Sequence, residues 1–162
     1  MPYLDVYSGN WTPAQARHLL RRTTFGPSVQ MVANSMSLGL NGTIDALFAT
    51  WNQPAPPLKS IPDGTGSNQL NDPGALYGET WVNAPPFPNV FPPMLRNRIL
   101  RARSKSLYSW TVLQMHYSGF SIKEKMTLFW HNHFVVADAT IAHREYVYYS
   151  LLRNLALGNF KE

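Results

Sequence analysis

The sequence has no cysteine, few charged residues and no long apolar run, and each shortage excludes a class of protein. Without cysteine, its 162 residues form no disulfide, no thiolate metal site and no cysteine nucleophile. No segment approaches the roughly 20 consecutive apolar residues that a membrane-spanning helix needs. Charged residues are few, at 14% of the chain, while the hydrophobic fraction is an ordinary 44%, so disorder throughout the chain is not expected. The first residues also lack the basic and apolar regions of a signal peptide, so we expect none.

Proline is concentrated in one region of the chain. Of the 13 prolines, ten lie in residues 52–93, together with several glycines. Proline removes a backbone donor and glycine leaves the backbone free, so neither a long helix nor a central strand is expected there. We predict a long irregular insertion over residues 52–93. Its aromatic residues, which include Trp81 and Phe87, predict that the second half is pinned across the helices.

Outside this region, helix start and stop signals alternate with apolar residues at helical spacing. Thr12 before Pro13 is a typical start, and Gly39, Gly119 and Gly158 are typical stops. We expect helices within residues 13–23, 29–38, 44–50, 94–118, 121–134 and 140–157. No strand pattern or internal repeat is evident. We therefore predict one all-α domain over residues 1–162, an irregular bundle of five to six helices with a long loop.

The bundle is expected to pack around the segment SIKEKMTLFWHNHF, residues 121–134. Ser121 and Glu124 have the spacing of a capping box, in which the serine oxygen accepts from a first-turn N–H and the glutamate reaches back to the cap. The apolar stripe predicted to face the core consists of Ile122, Met126, Phe129, Trp130 and His133.

Two histidines of this segment leave two interpretations open. A helix turns about 100° per residue, so His131 and His133 would point to different sides of it and could not share a metal ion. In an extended segment they would face the same way, and a shared metal becomes feasible. The simpler alternative is a structural role, since histidine is favoured in the last turn of a helix.

A metal-dependent enzyme or metal-binding domain is the first functional hypothesis. Imidazole and carboxylate ligands suit divalent zinc, iron or copper, and an open coordination position would allow hydrolysis or oxidation. The sequence offers as ligands His116, His131, His133 and His143, with Glu124 or Asp138 as carboxylates. None of these histidines forms a compact helical pair three or four residues apart.

A non-catalytic binding module is the second hypothesis, and it depends on charge and aromatic residues. The formal net charge is +5, and five basic residues lie within residues 96–105, including Arg98 and Arg101. Such a cluster is typical of a surface that binds an acidic polymer, or of the solvated face of a helix. Trp81 and Phe87 would stack on a glycan or bind a protein partner, unless they cover the core. No nucleic-acid-binding motif accompanies the cluster, so nucleic acid is not expected.

Three sequence blocks together resemble a known family. They are HLLRRTTFG at residues 18–26, EKMTLFWHNHF at 124–134 and LRNLALGNF at 152–160. In this order they resemble a bacterial family catalogued as domain of unknown function 1800, for which the WHNHF run is the most distinctive signature. Family members are longer, so the chain resembles their N-terminal portion.

The resemblance implies a setting and a set of residues. It implies an exported or envelope-associated protein, often encoded beside a phosphatase- or sulfatase-like partner, with a C-terminal half that would complete the site. A catalytic centre of the family would correspond here to Glu124, His131 and His133. From the first block, His18 and Arg22 would join them.

Overall fold

The structure, a computed structural model, describes residues 7–49, 53–84, 92–136 and 141–159. Within these ranges the chain forms five α-helices and no named β-strand, which confirms the predicted all-α fold. The helices are α1 (Pro13–Thr23), α2 (Val29–Phe48), α3 (Pro93–Tyr117), α4 (Lys123–His133) and α5 (Ala142–Leu155). The α1 helix packs against α2, and α5 packs against both α3 and α4.

The first helix begins where its capping sequence predicts. Thr12 has extended backbone angles, and its side-chain oxygen accepts a hydrogen bond from the Ala14 N–H at 3.3 Å. Pro13 occupies the first helical position, where its missing N–H costs no intrahelical hydrogen bond. The helix buries Ala16 and Leu20. Capping and apolar spacing therefore determine this element locally.

The predicted break at Gly39 is confirmed, although the helix after it begins earlier than predicted. Residues 29–48 form one helical stretch with a kink at Gly39, whose φ is +71° and ψ −178°. Thr43 was predicted to open the helix after this break, but it lies inside the helical stretch. Its buried hydroxyl donates to the Gly39 carbonyl oxygen at 2.6 Å. The Ser35 hydroxyl lies 2.9 Å from the same Thr43 oxygen. These bonds hold the two halves of α2 together across the kink.

We expect Gly39→Ala to destabilise the protein by about 1–3 kcal/mol, since side chains rarely adopt this backbone conformation. A Cβ at residue 39 would meet no atom within 4 Å, so the loss would come from the backbone alone. Urea unfolding measures it. A midpoint equal to that of the unsubstituted protein would contradict the left-handed geometry at this position.

Hydrogen bonds within the region between α2 and α3 fix its own backbone, and hydrogen bonds from helix side chains attach it to the bundle. Isolated antiparallel bridges join Leu58 to Thr80 and Asp72 to Ala75. Helix side chains also donate to its main-chain carbonyl oxygens. The Trp110 indole donates to Ala55 O at 2.7 Å. The other such donors are Arg98, to Ser67 O and Gln69 O at 2.8 Å each, and His143 Nδ1, to Val82 O at 2.7 Å.

The main apolar core lies between this region, α3 and α5. Its buried members are Ala75, Trp81, Val82, Leu107, Trp110, Ala142 and Tyr149. The rings of Trp110 and Tyr149 meet edge to face at 6.0 Å, and Tyr146 meets Trp110 in the same way at 5.7 Å. The core therefore depends on Trp81 and Trp110. The prediction that the bundle packs around the WHNHF helix is wrong.

The predicted capping box of α4 is wrong, and of its predicted apolar stripe only Ile122, Met126 and Trp130 are half-buried. The helix begins at Lys123 without a side-chain cap, and Ser121 Oγ accepts only from the Lys123 N–H, at 3.2 Å. Glu124 is buried, while Phe129 is 53% exposed and His133 is exposed. The physical reason is that α4 packs on α5 through Glu124 and the half-buried Trp130, whose indole donates to Ala156 O at 3.0 Å.

The start of α4 also carries the contacts to α1 and α2. The Ile122 N–H donates to the carbonyl oxygen of Leu47, the penultimate residue of α2, at 3.1 Å. Lys125 Nζ donates to Thr24 O at 3.3 Å, and its ammonium lies 5.0 Å from the centre of the Phe25 ring. The α1–α2 pair is thus positioned by polar contacts with the N-terminal end of α4.

Candidate functional site

A buried ion pair joins α4 to α5 beneath the candidate site. Arg153 Nε donates to Glu124 Oε1 at 2.6 Å, and Arg153 Nη2 bonds to the same oxygen. Each residue is only 3% exposed. A single charge buried in this way is strongly destabilising, so each residue depends on the other. Glu124, predicted as a catalytic carboxylate, is therefore committed to an internal pair.

Tyr149 extends this network toward the site. Its hydroxyl donates to Glu124 Oε2 at 3.5 Å, and its ring belongs to the apolar core. Burial, and next the negative charge of Glu124, raise the pKa of Tyr149 far above its ordinary value. Burial lowers the pKa of Arg153, and Glu124 opposes that shift. The phenol of Tyr149 consequently remains a hydrogen-bond donor at neutral pH.

His131 and His133 point to different sides of α4. The helix continues through His133, so the extended alternative that a shared metal requires is not realised. The His131 ring lies about 6 Å from those of Tyr148 and Tyr149 on α5, at 6.1 and 6.0 Å. The His133 ring instead stacks on Phe129 at 6.1 Å, with 7° between the ring planes.

The remaining predicted metal ligands do not come together either. His116 is exposed and packs edge-on against Tyr117 at 4.8 Å, whereas His143 bonds to the Val82 carbonyl oxygen. Asp138 lies outside the described residues. Among the residues that the structure describes, no three His, Asp or Glu side chains are grouped so that they could hold a metal ion. The predicted ligand pool is thus not assembled in that part of the chain.

A cavity of about 470 Å³ lies between α3, α4 and α5 and has His131 in its wall. We call it the His131 cavity. Leu107 and Leu128 contribute apolar surface to it. Its polar lining includes Tyr108, His131, Arg144, Glu145, Tyr148 and Tyr149. Of the three residues predicted to be catalytic, it contains His131 alone.

The polar groups of the His131 cavity differ in how far they are already engaged. The Tyr148 hydroxyl donates to the Phe134 carbonyl oxygen, and Tyr149 donates to Glu124. Burial, and then the Glu145 carboxylate beside it, raise the pKa of Tyr108. Neither ring nitrogen of His131 makes a hydrogen bond to any described residue. The imidazole is therefore open to a ligand in this cavity.

Tyr108, Glu145 and Tyr148 were not identified from the sequence. They lie on α3 and α5, and only the packing of three helices brings them to His131. One signal was present, because residues 145 and 148 are three apart and so share a face of α5. That signal indicates a common face, and it does not indicate which helix the face meets.

The basic cluster on α3 divides between the interior and the surface. Arg103 is buried and forms a two-point ion pair with Asp72, with its Nε 2.7 Å from Oδ2 and its Nη2 2.6 Å from Oδ1. Arg98, Arg101 and Lys105 are exposed and line a groove of about 910 Å³ between α3 and the stretch of residues 60–68. We call it the basic groove.

The other predicted binding residues lie apart from both sites. His18 and Arg22 are exposed on α1 and line a separate cavity of about 560 Å³, together with Trp11 and Leu40. Trp81 is 1% exposed, so its ring is not available for stacking on a glycan. Phe87 lies outside the described residues.

Comparison with known protein families identifies the family of the chain. The model of a family described as "Protein of unknown function (DUF1800)" matches residues 18–162, which is most of the chain. No curated protein and no solved structure matches it. In the described residues, no helix is long and apolar enough to cross a membrane.

Proposed function

The chain belongs to the DUF1800 family, whose function is unknown, and we propose that it is a ligand-binding part of its protein, with His131 as the group that exchanges a proton with a small polar ligand. The observation that carries this proposal is the placement of the His131 imidazole in the wall of a cavity that three helices share, without a hydrogen bond to any residue that the structure describes.

The size and lining of the His131 cavity support a small ligand. Cavities that bind small molecules typically measure about 300–1,000 Å³ and combine apolar walls with a few polar groups. At about 470 Å³, with leucine side chains beside tyrosine, glutamate and histidine, this cavity has both properties. A polymer would need a longer and more open surface.

The chemistry of the lining supports proton exchange. Imidazole both accepts and donates protons near neutral pH, which suits it to general acid–base catalysis. Tyr148 and Tyr149 face His131 from α5, and their hydroxyls are fixed by Phe134 O and Glu124. The tyrosines would therefore orient a ligand and limit its contact with water, while His131 would exchange the proton.

The test compares two histidines of the same helical turn. We expect His131→Asn to weaken binding at least tenfold, because the shorter amide does not reach the position of the imidazole Nε2 and a hydrogen bond made there to a charged or polar ligand is lost. His133→Asn should leave binding unchanged, since that ring stacks on Phe129 on another side of α4. The probes are small carboxylates, sugar phosphates and neutral monosaccharides, screened by ligand-observed NMR and by the shift in Tm.

Two results would contradict the proposal. One is the absence of any probe that binds the unsubstituted protein in both measurements. The other is a probe whose affinity falls equally in His131→Asn and His133→Asn, or in neither. Because both residues are exposed at the end of α4, loss of the fold is not expected to confuse the comparison.

The second hypothesis, a non-catalytic module that binds through aromatic and basic residues, loses its aromatic residues. Trp81 is buried in the core and Phe87 lies outside the described residues, so the aromatic half of a glycan-binding surface has no support. The basic half depends on Arg98 and Arg101, which remain exposed. Export, an envelope location, a phosphatase- or sulfatase-like partner and a completing C-terminal half stay predictions.

A further inference from the structure

One face of α3 forms a wall of the basic groove. Met94, Arg98, Arg101 and Lys105 all line it, at intervals of four, three and four residues. These intervals keep the side chains on one side of a helix. At about 1.5 Å of rise per residue, the three cations span about 10.5 Å along the axis. The face therefore presents a row of positive charge and not a single site.

The opposite wall is fixed by one of these cations. Arg98 donates to the carbonyl oxygens of Ser67 and Gln69, each at 2.8 Å, so the stretch of residues 60–68 is held against α3. Ser60 and Asn68 add neutral polar groups to this wall. The groove is thus formed by main-chain contacts and does not need a ligand to bring its walls together.

The cations of the groove meet no negative charge in the described residues. In the described part of the chain, no aspartate or glutamate lines the groove, and Arg101 and Lys105 form no ion pair. The two aspartates of the adjoining region are already engaged. Asp63 bonds to Lys59 and to the Tyr77 N–H, which lowers its pKa, while Asp72 pairs with the buried Arg103.

We propose that the basic groove binds an extended acidic polysaccharide, through its carboxylate or sulfate groups on Arg101 and Lys105. The serine and asparagine side chains of the walls supply hydrogen bonds to sugar hydroxyls. A row of cations along an open groove suits a linear chain of regularly spaced anions. This site is separate from the His131 cavity, and the two share no lining residue within the described ranges.

The lining favours an acidic polysaccharide over single-stranded nucleic acid. Proteins that bind single strands combine a basic groove with aromatic side chains on which the bases stack. Among the residues that the structure describes, no aromatic residue lines this groove. Its apolar surface comes instead from Ile61, Pro62 and Met94, which offer no flat ring to a base.

Arg96 provides a matched control for the test. It is an exposed arginine of α3 that does not line the groove. Both Arg101→Glu and Arg96→Glu lower the net charge by the same amount on the same helix. The probe is a fluorescein-labelled polygalacturonate oligomer, with neutral dextran and a single-stranded oligonucleotide for comparison. Binding is measured by fluorescence anisotropy at low and at physiological salt.

We expect polygalacturonate to bind, with Kd rising at least tenfold in Arg101→Glu and less than twofold in Arg96→Glu. Lys105→Glu should resemble Arg101→Glu, and neutral dextran should not bind. Equal losses in Arg96→Glu and Arg101→Glu would show attraction by net charge alone and overturn the assignment. Tighter binding of the oligonucleotide than of polygalacturonate, or no binding of either, would also overturn it.

Discussion

Replacing Arg153 by methionine is expected to lower the free energy of unfolding by about 3–5 kcal/mol, because it leaves a carboxylate buried without its cation. Glu124 is 3% exposed and receives its strongest hydrogen bonds from Arg153. Methionine retains most of the volume of the side chain, so the loss reports charge and hydrogen bonding more than packing. Urea unfolding at neutral pH measures it.

A double-mutant cycle isolates the contribution of the Glu124–Arg153 interaction to the free energy of unfolding. Glu124→Gln should also destabilise, and the double variant Glu124→Gln/Arg153→Met should lose less than the two single losses together, since both groups belong to one interaction. Arg96→Met serves as the control. It replaces an exposed arginine, so a change within about 0.5 kcal/mol is expected. Additive single losses would contradict the coupling between Glu124 and Arg153.

Trp81→Ala is expected to cost about 3–5 kcal/mol, the range for removing a large buried aromatic side chain. The ring is 1% exposed, and its Nε1 donates to Ser106 Oγ at 2.7 Å. It also meets Tyr146 edge to face at 6.5 Å. Because Trp81 attaches the region of residues 53–84 to α3, limited proteolysis should cut that region sooner in the variant.

Ser106→Ala is the control for Trp81. It removes the acceptor and leaves the indole N–H buried without that bond, at an expected cost of about 1–3 kcal/mol. The ring then still fills its place in the core. If Trp81→Ala lost no more stability than Ser106→Ala, packing of the indole would not be the main contribution, contrary to its burial.

The helices were predictable where their signals are local. Thr12 and Pro13 start α1 as expected, and Gly119, with a φ of +55°, follows the end of α3. The capping box failed because Glu124 has a stronger partner in Arg153, 29 residues further along the chain. A local pattern cannot reveal such competition, since it depends on which helix faces which.

The candidate sites were predictable only in part, for the same reason. Sequence reasoning identified His131, and it identified Arg98 and Arg101 from the clustering of charge. It did not separate Arg103, which is buried against Asp72, from its exposed neighbours in the cluster. The opposite wall of the basic groove comes from residues 60–68, whose alignment with α3 depends on tertiary contacts.

The way in which the helices hold the region between α2 and α3 has a consequence for sequence variation. The side chains of Arg98, Trp110 and His143 donate hydrogen bonds to its main-chain carbonyl oxygens. Every amino acid carries such an oxygen. The anchor at residue 67 therefore does not depend on the side chain there, whereas Gln69 also uses its side chain, whose Oε1 accepts from the Gly66 N–H at 2.6 Å. A different side chain at residue 67 would alter the outer wall of the groove and leave the hydrogen bond from Arg98 in place.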